Sequence, residues 1–159
     1  MINNKKIILL FVSWFLLIMW LGLIFVFSNQ SGSESSELSL EVTGYVVRIV
    51  NAVVPSAEIS KVELHNFVRK NAHFFVYFVL AILTMNAFKR CGLKKGKLIL
   101  SVISFCLLIA VLDEIHQLYV PGRYGSIFDV VIDVMGSLLG ILIYYGVSRI
   151  YRNKHGKTC

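Results

Sequence analysis

Charge is scarce in this sequence of 159 residues: Asp, Glu, Lys and Arg together make up 16%, and acidic residues number nine. Proline occurs twice and cysteine three times. Each shortage excludes something. With 57% hydrophobic residues and so few charges, a soluble domain is excluded, because a chain this short cannot hide that much apolar surface in one core. The lack of Pro-rich, acidic or Gln-rich tracts excludes a disordered chain. Cys91, Cys106 and Cys159 are odd in number and unpaired in spacing, so neither a disulfide framework nor a zinc-finger pattern is present. What is left is an integral membrane protein.

The apolar residues are gathered into four runs. Ile7 to Phe27 is 21 residues without a charge, roughly 31 Å of helix and enough to cross the hydrocarbon core. Ser28-Asn29-Gln30 follows it in place of a small-residue cleavage site, so an uncleaved span is expected, not a signal peptide. Ala72 to Phe88 is the second run. The third extends from Leu98 to about Tyr119, clean until Asp113, and the fourth from Ile127 to Val147, with Asp129 and Asp133 near its start. Length and the surplus of apolar surface assign these runs to membrane spans.

The pattern predicts an all-α integral membrane protein. One membrane domain covers residues 1–159, with spans at about 7–27, 70–88, 98–119 and 127–147. The long connection at 28–69 opens on a polar, Ser-rich stretch from Ser31 to Ser39. An amphipathic helix is expected after it, because Val42, Tyr45, Val46, Ile49 and Val53 recur at three- and four-residue spacing while Glu41, Arg48 and Asn51 point elsewhere. Pro55 would end that helix, which would lie in the membrane interface or cap the bundle. Ser60-Lys61-Val62-Glu63 reads as a capping box, so the second spanning helix is expected to begin before the membrane.

The net charge of +7 invites a nucleic-acid partner, but the positions of the charges exclude one. With a cytoplasmic N-terminus and alternating helices, the inner side holds Lys5, Lys6, Lys89, Arg90, Lys94, Lys95, Lys97, Arg149, Arg152, Lys154 and Lys157, 11 of the 16 basic residues. The outer half holds Arg48, Lys61, Arg69, Lys70 and Arg123, together with all nine acidic residues. This is a positive-inside distribution, with both termini cytoplasmic.

Intramembrane polar residues are costly and call for a partner or a purpose. Here they collect at one depth. The second span brings Arg69, Lys70, His73 and Tyr77, the third Asp113, Glu114, His116 and Gln117, and the fourth Asp129 and Asp133. Asp113 and Asp133 both lie roughly 10 Å in from the outer helix ends. Asp113, His116 and Gln117 share a face by spacing, as do Arg69 and His73. Gly136 and Gly140 form a small-xxx-small contact on the stripe of Asp129 and Asp133, which turns both aspartates into the bundle. Pro121-Gly122 is a tight turn that hangs Arg123 over the layer. Singly, each residue has an ordinary use. His73 would be an interfacial histidine, Arg69 and Lys70 would snorkel, Asp129 would cap a helix, and Tyr119 and Tyr124 would belong to the aromatic belt. Together they would make either a structural ion-pair network or a site.

Two motifs carry a family resemblance. Arg69-Lys70-x-x-His73-x-x-x-Tyr77-x-x-Leu80 resembles the first motif of VanZ-like membrane proteins. Asp113-Glu114-x-His116-Gln117, followed by Pro121-Gly122-Arg123, Asp129, Gly136 and Gly140, resembles the second. Phe27-Ser28-Asn29-Gln30 is similar to the Phe-Ser-Ser-Gln that follows the first span in that family. The resemblance covers about residues 7 to 147. Val76 stands where the family often has Glu, and Asp133 where it often has Asn. The resemblance implies a bacterial plasma-membrane protein, and its name-giving member is associated with low-level resistance to the lipoglycopeptide teicoplanin.

Two functions compete. In the first, the layer is an enzyme site for hydrolysis or exchange at the phosphoester of a membrane lipid or lipid-linked wall-precursor headgroup. Its candidate catalytic groups are His73, Asp113, Glu114, His116 and Asp129. Arg69, Lys70, Tyr77, Gln117 and Arg123 are its candidate binding groups, the arginines suited to hold a phosphate. A divalent metal on Asp129, Asp133 and Asp113 is a variant of this reading. In the second, the same groups bind or shield a lipid headgroup, wall precursor or lipoglycopeptide without chemistry. A proton-coupled transporter fits less well, since the polar path stops in the outer half, with only Thr84 and Asn86 lower on the second span. The charge distribution yields a direct prediction: a reporter fused after Tyr151 reads cytoplasmic and one inserted near Ser35 reads external. The opposite labels would overturn the outward-facing layer.

Overall fold

The computed structural model describes residues 4–53 and 61–155, and all of its regular structure is helical. The expected stop at Pro55, the Ser60 end of the expected capping box, and Cys159 lie outside the described residues. In chain order the helices are α1 (Asn4–Ser28), α2 (Gly32–Val53), α3 (Lys61–Arg90), α4 (Lys95–Gln117) and α5 (Ile127–His155). α1, α3, α4 and α5 are each long and apolar enough to cross a membrane. These are the four expected spans. α3 starts nine residues before its expected span and α5 ends eight after, because helix continues past the uncharged apolar run at each of these ends. α4 closes two residues short of Tyr119 because Leu118, Tyr119 and Val120 each donate to the carbonyl three residues back, winding the chain into tight turns.

Contacts along the bundle give the four long helices alternating directions. Near the start of α1, Trp14 packs on Phe88 of late α3, ring centroids 6.0 Å apart, and Asn86 Nδ2 donates to Ser13 Oγ at 3.0 Å. At the other end, Ser28 Oγ of α1 meets His116 Nδ1 of late α4 at 3.1 Å. The candidate polar residues of α3, α4 and α5 therefore share one end of the bundle.

α3 is the central helix, burying Tyr77, Leu80, Ala81, Thr84, Met85 and Ala87. α4 lays Leu98, Val102, Cys106 and Ala110 into the core at every fourth position. α5 approaches α3 most closely, and glycine is the reason. A Cβ at Gly136 would collide with the Phe74 carbonyl oxygen, and one at Gly140 would lie 2.5 Å from the Phe78 carbonyl oxygen. The expected small-xxx-small contact is thus a backbone-to-backbone seam. α1 buries only Ser13, Leu17, Ile24 and Ser28, and exposes Phe11, Phe15, Ile18 and Met19. An apolar helix with most of its circumference uncovered suits a lipid environment and not water.

α2 differs from expectation at its start. The Ser31–Ser39 stretch is helical from Gly32 on, not a separate polar lead-in to a later helix. Ser31 and Glu34 make a reciprocal cap: Ser31 N–H and Oγ donate to Glu34 Oε2 at 2.8 and 3.0 Å, and Glu34 N–H donates to Ser31 Oγ at 3.3 Å. Hydrogen bonds from Ser31 hold the Glu34 carboxyl below its ordinary pKa. The charged cap is thus in place at neutral pH, and its contribution is lost as pH falls below the carboxylate range. Ser39 and Thr43 turn their hydroxyls onto the carbonyls of Ser35 and Ser39, which removes the competition that serine otherwise offers a helix. Thr43 faces inward at 3% exposure, while Leu38, Val42, Tyr45 and Ile49 form an uncovered apolar stripe.

The α3–α5 seam generates a prediction with an internal control. Gly136→Val should destabilise the protein by about 1–3 kcal/mol, the usual cost of overpacking. Gly22→Val, at a helical position with open space around it, should change stability far less. Thermal unfolding of both variants in the same detergent measures the difference.

Candidate functional site

At the polar end of the bundle, α1, α2, α3 and α4 surround a cavity of about 500 Å³, within the size range of small-molecule sites. Apolar side chains form most of its wall, among them Ile24 and Phe27 of α1, Leu38 and Val42 of α2, and Phe67 and Val76 of α3. Its polar lining includes Arg69, His73, Tyr77, Asp113, Gln117 and Arg123. Six residues separated by up to 54 positions in sequence thus converge on one space because α3 and the α4–α5 turn meet at this end.

Arg123 is positioned by main-chain geometry. The Pro121-Gly122 turn places Gly122 at a φ of +73°, a conformation suited to glycine, and Arg123 N–H donates to the Val120 carbonyl at 3.2 Å. The start of α2 is seated on this turn. Gly32 N–H donates to the Pro121 carbonyl at 3.0 Å, and a Cβ at Gly32 would collide with the Gly122 carbonyl. Arg123 is 7% exposed and its Nε donates to Gln117 Oε1 at 3.2 Å. Gln117 in turn donates from Nε2 to Asp113 Oδ2 at 2.9 Å. One buried amide therefore links a cation to a carboxylate. Burial, and then the neighbouring charge of Arg69, pull the Arg123 guanidinium below its ordinary pKa, with Asp113, Glu114 and Asp129 acting in the opposite direction.

His73 belongs both to the cavity and to a second cluster. Its Nδ1 lies 3.5 Å from Asp133 Oδ1, and Asp133 is 0% exposed. Glu114 approaches from α4. One of its oxygens, Oε2, accepts from Ser126 N–H at 2.6 Å, immediately before α5, where a carboxylate is favoured by the free N–H groups of the helix start. Both Asp133 oxygens, Glu114 Oε1 and the Tyr77 hydroxyl are buried without a hydrogen-bond partner. His73, Glu114 and Asp133 each offer one donor atom, all within 4.8 Å of one another. Asp113 and Asp129 are not in this group of possible metal-ligating atoms, so the trio differs from the all-aspartate set expected from spacing.

The remaining expected site residues fall in different places. His116 is turned from Asp113 and Gln117 toward α1, bonded to Ser28 and packed on Phe25 with ring centroids 5.2 Å apart. The reason is angular: three residues on a helix turn through about 300°, so i and i+3 share a face only broadly. Asp129 is half-buried near the polar end, and its charge acts on Arg123. Lys70 is exposed and absent from the cavity wall, whereas Arg69, one position earlier, is half-buried on it. Ser28 and the Ser126 N–H were not among the sequence candidates. The Phe27-Ser28-Asn29-Gln30 motif was the available signal for Ser28, and nothing in side-chain chemistry signals a main-chain donor.

The sequence profile of the VanZ/LLP1 family matches residues 11–150. No curated protein and no solved structure matches the chain. The match covers far more than half of the sequence, and the chain belongs to the VanZ/LLP1 family.

The Gln117 linkage makes a prediction for this site. Gln117→Leu preserves the bulk but strips both Arg123 and Asp113 of a partner, which should cost about 1–3 kcal/mol through the two groups left unsatisfied. Equilibrium unfolding in detergent measures it, and a change within a few tenths of a kcal/mol would mean that the amide does not couple them.

Proposed function

We propose that this VanZ/LLP1-family membrane protein takes a phosphate-bearing lipid or lipid-linked wall precursor from the outer leaflet and hydrolyses or exchanges its headgroup. The observation that carries the reading is the cavity, in which an apolar wall adjoins Arg69, Arg123, His73 and Asp113. An acyl or prenyl chain matches the wall, and a phosphodiester matches the two guanidinium groups, whose planar forks suit phosphate oxygens. The positive-inside distribution supports a site facing outward in the plasma membrane with both termini in the cytoplasm.

In the proposed step, an oxygen of water, or of a second alcohol in an exchange, bonds to phosphorus. The phosphorus–oxygen bond to the leaving alcohol breaks. The nucleophile's proton passes through the imidazole and carboxylate groups of the site to that alcohol's oxygen, and the guanidinium groups stabilise charge developing on the phosphate. Altered headgroups or wall precursors at the cell surface would give the lipoglycopeptide teicoplanin fewer places to bind, which connects the reading to antibiotic resistance.

One observation favours a second reading, binding or shielding without chemistry. His116 faces Ser28 and not the cavity, so one of the two histidines that argue for catalysis is withdrawn. The same experiment separates the two. Whole-membrane lipids from cells expressing the wild type, Asp113→Asn, His73→Ala or His116→Ala at matched levels are compared by mass spectrometry. Chemistry predicts a headgroup or lipid-linked species that changes with the wild type and with His116→Ala, and does not change with the other two. Identical profiles in all four strains, across phospholipids and wall precursors, would reject catalysis in favour of binding.

A further inference from the structure

We propose that His73, Glu114 and Asp133 form a binding site for a divalent first-row metal cation, with Zn²⁺ suited to their donor set of one imidazole and two carboxylates. Three helices supply the three donors, one each from α3, α4 and α5. The inference stands on these atoms alone and holds whether or not lipid chemistry takes place beside them.

The first support is the state of the donors. Both oxygens of Asp133 and Glu114 Oε1 are buried and lack hydrogen-bond partners, in residues that are 0% and 6% exposed. Unpartnered buried carboxylate oxygens are costly in any protein interior and more so in a spanning bundle. Two neighbouring polar groups are engaged elsewhere, and the buried Tyr77 hydroxyl bonds to neither carboxylate. Ser137 Oγ donates to the main-chain oxygen of Asp133 and not to its carboxylate. Arg123 donates to Gln117, which serves Asp113.

Distance is the second support. His73 Nδ1 and Asp133 Oδ1 are 3.5 Å apart, too long for a good hydrogen bond. Two ligands held at roughly 2.0–2.2 Å from a tetrahedral Zn²⁺ stand about 3.3–3.6 Å from each other. The His73–Asp133 separation falls in that range, and the Glu114 donor lies within 4.8 Å of both. Charge agrees: a protonated His73 would offset one carboxylate and leave the other, whereas a divalent cation with neutral His73 offsets both. Three protein ligands leave a coordination position open. The cavity supplies a route to it, because His73 lines the cavity while Asp133 and Glu114 do not. Glu114 is also held for the purpose, since Ser126 N–H occupies Oε2 and leaves Oε1 free.

The test uses the full chain without a polyhistidine tag, in lipid nanodiscs, stripped with a chelator and dialysed against Zn²⁺. Elemental analysis should find one Zn²⁺ per chain, and Zn²⁺ should raise the unfolding temperature of the stripped protein. His73→Ala and Asp133→Asn should each weaken retention by about ten-fold or more, whereas His116→Ala should retain the metal. Loading with Co²⁺ gives a second readout that does not depend on stability: visible d–d absorption in the wild type, lost in His73→Ala. If Asp133→Asn does not accumulate, His73→Gln with the Co²⁺ spectrum decides. Zn²⁺ retention no higher than in protein-free nanodiscs would overturn the proposal in favour of a His73–Asp133 ion pair. Retention unaffected by the His73 and Asp133 substitutions would overturn it in favour of adventitious surface binding.

Discussion

A carboxylate with no access to water is the constraint around which this molecule is organised. Asp133 is fully buried in a bundle whose long helices are apolar enough to cross a membrane, and neither of its oxygens has a hydrogen-bond partner. Its surroundings follow from that. The glycine seam brings α5 against the backbone of α3 at Phe74 and Phe78, next to His73 and one turn from Tyr77. Were α5 held off by ordinary side chains, Asp133 and His73 would separate and the carboxylate would meet only hydrocarbon. The same approach places the start of α5 where Glu114 can occupy its first free N–H. Packing and electrostatics are therefore one arrangement at this end of the bundle. At the other end Asn86 meets Ser13, and Trp14 donates to Cys91 Sγ at 3.4 Å.

Much of this arrangement was legible in the sequence, for identifiable reasons. The four spans follow from apolar length, and the shared depth of the polar residues follows from helical rise, which is nearly invariant. The glycine contact could be read because only glycine permits so close an approach. Azimuth was harder. His116 shares a face with Asp113 by spacing, yet α1 lies on the side to which its ring turns, and no count along α4 reveals where α1 will be. Glu114 illustrates a second limit: its partner is a main-chain N–H at the start of another helix, which leaves no mark in the residue types. The start of α2 shows a third. Ser31-Gly32-Ser33-Glu34 has the Ser-x-x-Glu spacing of a capping box, but the density of serine around it reads as irregular chain until the hydroxyls are seen to bond backward along the helix.

The site divides into two chemically distinct halves that meet at His73. One half is open and carries the cations, with Arg123 set by a turn and tied to Asp113 through Gln117. The other is closed and anionic, with two carboxylates and an unpartnered tyrosine hydroxyl behind the imidazole. His73 lines the cavity, whereas Asp133 and Glu114 do not. His73 thus stands between the cavity, lined by Arg69, Arg123 and Asp113, and the enclosed oxygens of Asp133 and Glu114. VanZ/LLP1 membership and four helices apolar enough to cross a membrane place the cavity in a membrane protein.

The seat of α2 on the Pro121-Gly122 turn has a consequence for inheritance. Because Gly32 meets Gly122 backbone to backbone, neither position can trade its role to a neighbour or compensate by a change of side chain. A substitution at residue 32 therefore acts on Arg123, 91 positions later in the chain, before it acts on its own helix. Sorted by phenotype, variants of Gly32 would fall among those of the α4–α5 turn and apart from those of Tyr45 and Ile49, whose side chains lie on the open surface of the same helix. The α2 helix thus contains two genetic neighbourhoods: one that tolerates a change of apolar residue, and one that is part of the turn.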